Sequence, residues 1–349
     1  MLAMSSTYHR LHISIVALAA ALAGALSFGA AAATAANLVI EGAGDGHGVG
    51  MSQEGAYGYA LHGASYEQIL AHYYTGTALG QAPAGTQVRV LIGKSVQAVP
   101  LETYVEGVVS AEVPASWPLA VLEAQAVASR TYALTAHAGG ARFDVYSDTR
   151  SQVYRGVAAH TPQTDAAVAA TAGQIVTYAG RPAITYFFAS SGGYTEDVGN
   201  VWAGGEAQPW LQGVLDPYDQ GPLHRWKLTL SFSSAGSRLR GLVRGSFQGI
   251  EVLRRGVSPR IVSAYVLGSG GRTLVSGAQL GAALGLYATW AYFSVQSGHS
   301  VRREPDLSGA PTPAPLAPAP AAAAPSAGPE GGLAAPPSAG PPTGGVAAQ

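Results

Sequence analysis

The 349-residue sequence contains no cysteine. That absence excludes disulfides, thiolate metal ligands and a lipid-modified cysteine anchor. Charge is scarce as well: Asp, Glu, Lys and Arg make up 11% of the residues and the formal net charge is −1. No basic stripe is available to neutralise phosphates, which argues against nucleic acid as a partner. No internal repeat is evident. What is there, a weakly charged chain rich in Gly, Ser, Tyr and Trp, suits contact with a neutral polymer such as a glycan.

Both ends fall outside the expected fold. Residues 1–36 carry His9 and Arg10, then an apolar run from Leu11 to Phe28, then small residues closing on Ala33-Thr34-Ala35-Ala36. This is the order of a secretory signal peptide. The apolar run also approaches the roughly 20 residues that span a bilayer. A permanent anchor is therefore the alternative, and the small residues favour cleavage. The protein is expected to be exported, to the cell wall or periplasm, and to touch a membrane only if that segment stays uncleaved. From Pro305 onward the chain is Ala, Pro, Gly and Ser, with more than half of the 22 prolines. Such a tail cannot bury enough surface to offset its ordering entropy, so residues 301–349 read as disordered. The folded domain is expected over 37–300.

The centre of that domain is Val108 to His137. Pro114 restricts Val113 to extended geometry, so a helix over Leu101–Ser110 should break and leave Glu112 on irregular backbone. Ser116 can cap the next helix, with Pro118 in its first turn. That helix carries Leu119, Leu122, Ala126 and Ala133 on one face, while Gln125, Ser129 and Tyr132 project from a second. A carboxylate at a kink beside Gln125 and Arg130 is how a chain would hold a tuned acid next to polar groups that orient a substrate. The plainer reading is a glutamate that interacts with the positive end of the helix dipole.

Upstream, a strand over Asn37–Ile40 feeds the glycine-dense run Gly42 to Gln53. A dinucleotide loop is excluded, because the sixth position of a pattern starting at Gly42 is His47. Short helices follow over Ser52–Leu61 and Tyr66–Tyr74, then strands over Gln87–Ile92 and Ser95–Val99. Downstream, a helix over Thr164–Ala172 precedes strands over Gln174–Tyr178 and Ala183–Phe188. The second of these runs into Ser190-Ser191-Gly192-Gly193, small residues and hydroxyls suited to close approach by a sugar or to an ordinary turn. Strands over Lys227–Phe232, Val252–Arg255, Ile261–Leu267 and Arg272–Ser276 and a helix over Gly277–Leu284 complete an α+β reading, with central helices packed on mixed and antiparallel sheets.

Two blocks carry a resemblance. Ser110-Ala111-Glu112-Val113-Pro114-Ala115-Ser116-Trp117-Pro118 followed by Glu123 to Ala133, and Gly46 to Ala56 continuing to Thr77, are similar to the signatures of the SpoIID/LytB family. That family contains glycan-cleaving sporulation enzymes and amidase-enhancer proteins of bacterial cell walls. The resemblance covers roughly residues 42–295 and implies that Glu112 is the catalytic acid. It makes Gln125, Arg130, Gln152, Tyr154, Ser190, Ser191, Gly192 and His47 candidates for holding a glycan. His47 is otherwise a structural imidazole within a tight loop. Relatives usually carry a longer β-rich insert before Leu101, which here is only a few residues. Some also bind zinc through Cys and His where this chain has Tyr146, Arg150 and Ser151, so no metal and no cofactor is expected.

Ordinary glycoside hydrolysis uses two carboxylates at a defined separation. Glu106, Glu123, Asp144, Asp148 and Glu196 are candidates for a second, yet none has a partner motif. Lytic transglycosylation needs only one, because the sugar's own 6-hydroxyl attacks. The expected activity is therefore cleavage of peptidoglycan glycan strands by one glutamic acid. The alternative is a wall-binding module that stimulates an amidase and cleaves nothing.

Overall fold

The computed structural model describes residues 36–202, 208–297 and 300–303. The expected leader (1–36, apart from Ala36) and the expected tail, apart from the strand ending at Arg303, lie outside the described residues. Strand β1 (Asn37–Gly42) leads through the glycine-dense loop into β2 (Met51–Ser52). Ser52 then caps α1 (Gln53–Leu61), its hydroxyl accepting from the Gly55 amide at 3.1 Å. A capping box of Ser65 and Gln68 starts α2 (Tyr66–Tyr73). Strands β3 (Ala78–Gln81), β4 (Gln87–Ile92) and β5 (Ser95–Pro100) follow.

Two helices come next, α3 (Leu101–Glu112) and α4 (Leu119–Thr135). The first runs two residues further than its sequence suggests and takes Glu112 with it. Only Val113 leaves, at φ −133° and ψ 148°, the extended geometry that Pro114 imposes. The second starts at Leu119 behind Pro118, with no side-chain cap, so Ser116 does not serve as expected. Leu119 is 52% exposed and lies off the apolar face assigned to it.

Beyond them lie β6 (Val145–Tyr146), α5 (Pro162–Ala170), β7 (Gln174–Tyr178), β8 (Arg181–Pro182) and β9 (Phe187–Phe188). The strand expected over 183–188 is thus paired only at its last two residues, which lie parallel to β2. The C-terminal part holds α6 (Val198–Val201), β10 (Trp226–Ser231), α7 (Phe232–Arg238), β11 (Phe247–Arg255), β12 (Ile261–Gly268) and β13 (Gly271–Ser276). It ends with α8 (Gly277–Leu284), β14 (Ala291–Ser297) and β15 (Ser300–Arg303). Neither α7 nor β14 follows from the sequence pattern. The class is α+β, with sheets ordered β10-β1-β14-β15, β11-β12-β13, β2-β9, β3-β7-β8 and β5-β4-β6.

Helix α4 is the axis of the N-terminal half. Val121, Ala124, Val127 and Ala128 pack on α1 and α2. Leu122, Ala126 and Ala133 face the opposite way, onto α3, β4 and α5. Each fully buried Val or Leu contributes about 1.5–3 kcal/mol, so burial on two sides fixes this helix firmly. A third core joins β1, β10, β12, β14, α7 and α8 around Ile40, Val266 and Leu280.

The glycine-dense loop connects these cores. Gly48 and Gly50 sit at φ +91° and +78°, in the left-handed region. A Cβ on Gly50 would meet the Tyr186 carbonyl oxygen, and one on Gly48 the Arg260 guanidinium, so both positions also demand the missing side chain. That close approach sets β2 beside β9 and places Ser52 and Gln53 where the two polar clusters of the molecule meet.

Candidate functional site

Glu112 ends α3 half-buried. Its Oε1 accepts from the Val153 amide at 2.6 Å. Burial raises its pKa above the ordinary value, against the lowering pull of the Val153 amide, the Gln53 amide and the Arg155 charge. The C-terminal end of α3 acts with burial, since the helix dipole disfavours a negative charge there. The dipole thus works in the opposite sense to the one expected from the sequence, where Glu112 stood before a helix N-terminus.

Around this carboxyl, Gln53 Nε2 donates to Gln125 Oε1 at 3.3 Å, and Gln125 Nε2 donates to Ser129 Oγ at 3.0 Å. Gln152 Nε2 donates to the Ser129 carbonyl at 3.2 Å. Tyr154 stacks on Tyr104 with ring centroids 5.1 Å apart and lies over Gly107, whose lack of a side chain makes room for it. Glu112, Gln125, Gln152 and Tyr154 therefore form one cluster. Gln53, Tyr104 and Tyr132 belong to it as well and were not among the residues proposed from sequence. The spacing of Gln125, Ser129 and Tyr132 did signal that face. Nothing local marks Gln53, which arrives from the far side of the glycine-dense loop.

Other candidates lie elsewhere. Arg130 is wholly buried and faces away: Nε and Nη2 donate to Glu102 at 2.9 and 2.7 Å, and Nη1 donates to the Gln174 carbonyl at 3.0 Å. It knits α3 and α4 to β7 and has no route to a ligand. His47 lies against the rings of Phe188 and Trp202, 5.4 and 5.2 Å away, and its Nδ1 accepts from the Val49 amide at 3.0 Å. Burial, and then the Arg260 charge, lower its pKa to about 4, so it stays neutral.

Ser190, Ser191 and Gly192 gather around Asp219. Both hydroxyls donate to Asp219 Oδ2, at 2.9 and 2.8 Å, and the Gly192 amide donates to the same oxygen at 2.8 Å. Their donors are thereby engaged within the protein, and both serines are buried, in place of the sugar contact expected of them. The cluster still adjoins the Glu112 site, because Ser52 Oγ accepts from the Ser191 amide at 3.1 Å and Gln53 is the next residue.

Asp216 and Asp219 titrate in opposite directions. Burial would raise Asp219, but the His224 imidazole, the Ser191 hydroxyl and the Gly221 and Gly192 amides outweigh it and hold it well below the usual carboxylate range. Asp216 is pushed up to about 7 by burial and by the Asp219 charge, although Ser191, Tyr73 and Ser52 pull it down. Its protonated form therefore contributes stability that is complete below the ordinary value of 3.8 and disappears as pH rises through about 7. In Asp216→Asn the fall in Tm between pH 4 and 7 should be shallower than in wild type. Parallel melting curves across that range would refute the assignment.

Four of the five carboxylates that could serve as a second acid are held by other partners. Asp144 is bound by Arg89 at 2.6 Å and Asp148 by Arg150 at 2.7 Å. Glu106 lies 3.7 Å from His160. Glu196 accepts from the Val257 and Ser258 amides and from Asn200. The fifth, Glu123, has its pKa raised by burial and then by the Glu67 charge. The Arg150 guanidinium lies 3.8 Å from the centre of the Tyr146 ring. Among the described residues no helix is long and apolar enough to cross a membrane.

Residues 93–178 match the family model described as SpoIID, Stage II sporulation protein. The match contains Glu112, α4 and the Gln152 segment, and excludes the glycine-dense loop and the Asp219 cluster. The chain is similar to Stage II sporulation protein D of Bacillus subtilis, 32% identical over 203 residues, which is 50% of this chain and 58% of that protein. An uncharacterised protein of Brachyspira hyodysenteriae is 37% identical over 142 residues, 40% of this chain and 38% of its own length. The amidase enhancer of Bacillus subtilis is 36% identical over 141 residues, 40% of this chain and 19% of that protein. The chain thus spans less than two thirds of each of these relatives.

Proposed function

The chain belongs to the SpoIID/LytB family, and from that membership we propose a cell-wall function: an exported protein that cleaves peptidoglycan glycan strands as a lytic transglycosylase, with Glu112 as the sole proton carrier. The observation that supports cleavage is the state of this carboxyl. It is half-buried with its pKa raised, it is fixed by the Val153 amide, and four of the five other carboxylates considered are engaged elsewhere.

A protonated Glu112 would deliver its proton to the glycosidic oxygen between N-acetylmuramic acid and N-acetylglucosamine, and the C1–O bond would break. The 6-hydroxyl oxygen of the same muramic acid would then bond to C1 and return its proton to the Glu112 carboxylate. The products are a 1,6-anhydro end and a free 4-hydroxyl. No water is consumed, and Glu112 finishes protonated as it began. Tyr154, partly exposed beside the carboxyl, would help place the sugar, while Gln53, Gln125 and Gln152, buried and bonded behind it, would hold the site's shape.

The name of one relative supplies a second reading, amidase enhancement. Purified protein incubated with glycan strands lacking stem peptides decides between them. Release of anhydro ends, read by mass spectrometry, is the expected result. No release, together with stimulation of a wall amidase, would establish the second reading instead.

A further inference from the structure

An intramolecular attack needs one group to move the proton and another to aim the attacking hydroxyl, since a small misplacement of a reacting atom can cost about 10²-fold in rate. Glu112 can do the first. The face of α4 that looks toward it carries Gln125, Ser129 and Tyr132 in succession. Gln125 and Ser129 are wholly buried and bonded to each other, whereas Tyr132 is 8% exposed, so it is the member of this face that reaches the surface.

The segment Ser151–Val153 fixes it relative to the acid. Val153 binds Glu112 Oε1, Gln152 binds the Ser129 carbonyl, and the Ser151 hydroxyl lies beside the Tyr132 phenol. One tripeptide therefore holds the carboxyl and the phenol at a set spacing. Rings from β9 and its approach close the other side, with Tyr186 and Phe187 edge-on to Tyr132 at 6.0 and 6.4 Å. The buried Tyr104 hydroxyl has no hydrogen-bond partner among the described residues and lies close to both Tyr132 and Glu112.

We propose that Tyr132 is the second functional group of this site: its phenol donates a hydrogen bond to the 6-hydroxyl oxygen of the reacting sugar and aims it at C1, while that hydroxyl's own proton goes to Glu112. The inference rests on the transglycosylase reading. Tyr132 keeps its proton throughout, because burial raises its pKa and the Glu112 charge adds to that rise, with Ser151 opposing both. It thus does by orientation what a second carboxylate does by charge in ordinary glycosidases.

Loss of aim has a signature that loss of stability lacks. With the 6-hydroxyl free to swing, water reaches C1 and leaves a reducing end in place of an anhydro end. Full-length Tyr132→Phe acting on denuded glycan strands should show the ratio of anhydro to reducing ends falling at least about 10-fold and kcat falling roughly 10²-fold, with KM little changed. Ser151→Ala should move the ratio the same way by less, and it decides the matter if Tyr132→Phe does not fold. An unchanged ratio and kcat in a folded Tyr132→Phe would overturn this role and leave glycan cleavage standing. A wild type that releases neither end would overturn the cleavage reading, and this role with it.

Discussion

Glu112→Gln is expected to lower anhydro-end release by roughly 10²–10⁴-fold, the span that one positioned general acid and base contributes. The side chain keeps its size and its hydrogen bond from Val153, so the loss is chemical. The pH profile carries a second mark of the same group. Cleavage begins from the protonated carboxyl, so kcat/KM should decline as pH rises through a value above the roughly 4.3 of an ordinary glutamate. A stability effect in the same direction accompanies it. With its folded pKa raised, the protonated form contributes stability that is complete below the unfolded value and is lost as pH rises through the folded one. Glutamine keeps the neutral form at every pH, so the variant should melt above wild type on the alkaline side. Undiminished release of anhydro ends by a folded Glu112→Gln would sink the proposed mechanism.

Glu102→Gln should be the most damaging single change to the fold outside the hydrophobic cores, costing about 3 kcal/mol or more. The cost arises in Arg130, which has no exposure and would keep its charge without the carboxylate that balances it. The half-exposed position of Glu102 sets the estimate at the lower end of what breaking a buried pair costs. A lower urea midpoint at unchanged slope is the measurement, and an unaltered midpoint would show that solvent already satisfies the guanidinium. Arg130→Lys should fare little better, because a single ammonium cannot span both Glu102 oxygens and the Gln174 carbonyl. In neither variant should the KM of the folded fraction change, which separates this pair from the glycan site.

The contrast between Glu112 and Arg130 shows what the sequence could and could not reveal. Both stand in the same conspicuous block, and resemblance offered both as site residues. Helical spacing separates Arg130 from the Gln125–Ser129–Tyr132 face, so its different direction was legible, but its burial and its partners on α3, α5 and β7 were not. Elements of local origin came through well: β4, β7 and α8 occupy the ranges 87–92, 174–178 and 277–284 read from the sequence. The misses are long-range. The backbone from 183 to 186 follows no ladder because the close approach of Gly50 to Tyr186 decides its path, and no local pattern encodes that meeting. Ser190 and Ser191 looked like open hydroxyls because Asp219, which binds them, is nearly thirty residues downstream.

Strand β1 lies between β10 and β14, pairing Ile40 with both Leu228 and Phe293. The first of the described strands to leave the ribosome is thus an interior member of a ladder whose neighbour β14 is synthesised some 250 residues afterwards. Until then the side that β14 will cover stays open even if β10 has already paired, and the loop-closure entropy of that long intervening stretch delays the union. The nascent polypeptide consequently cannot complete this sheet before translation has passed β14 and its neighbour β15, so β1 waits on the last strands of the described chain.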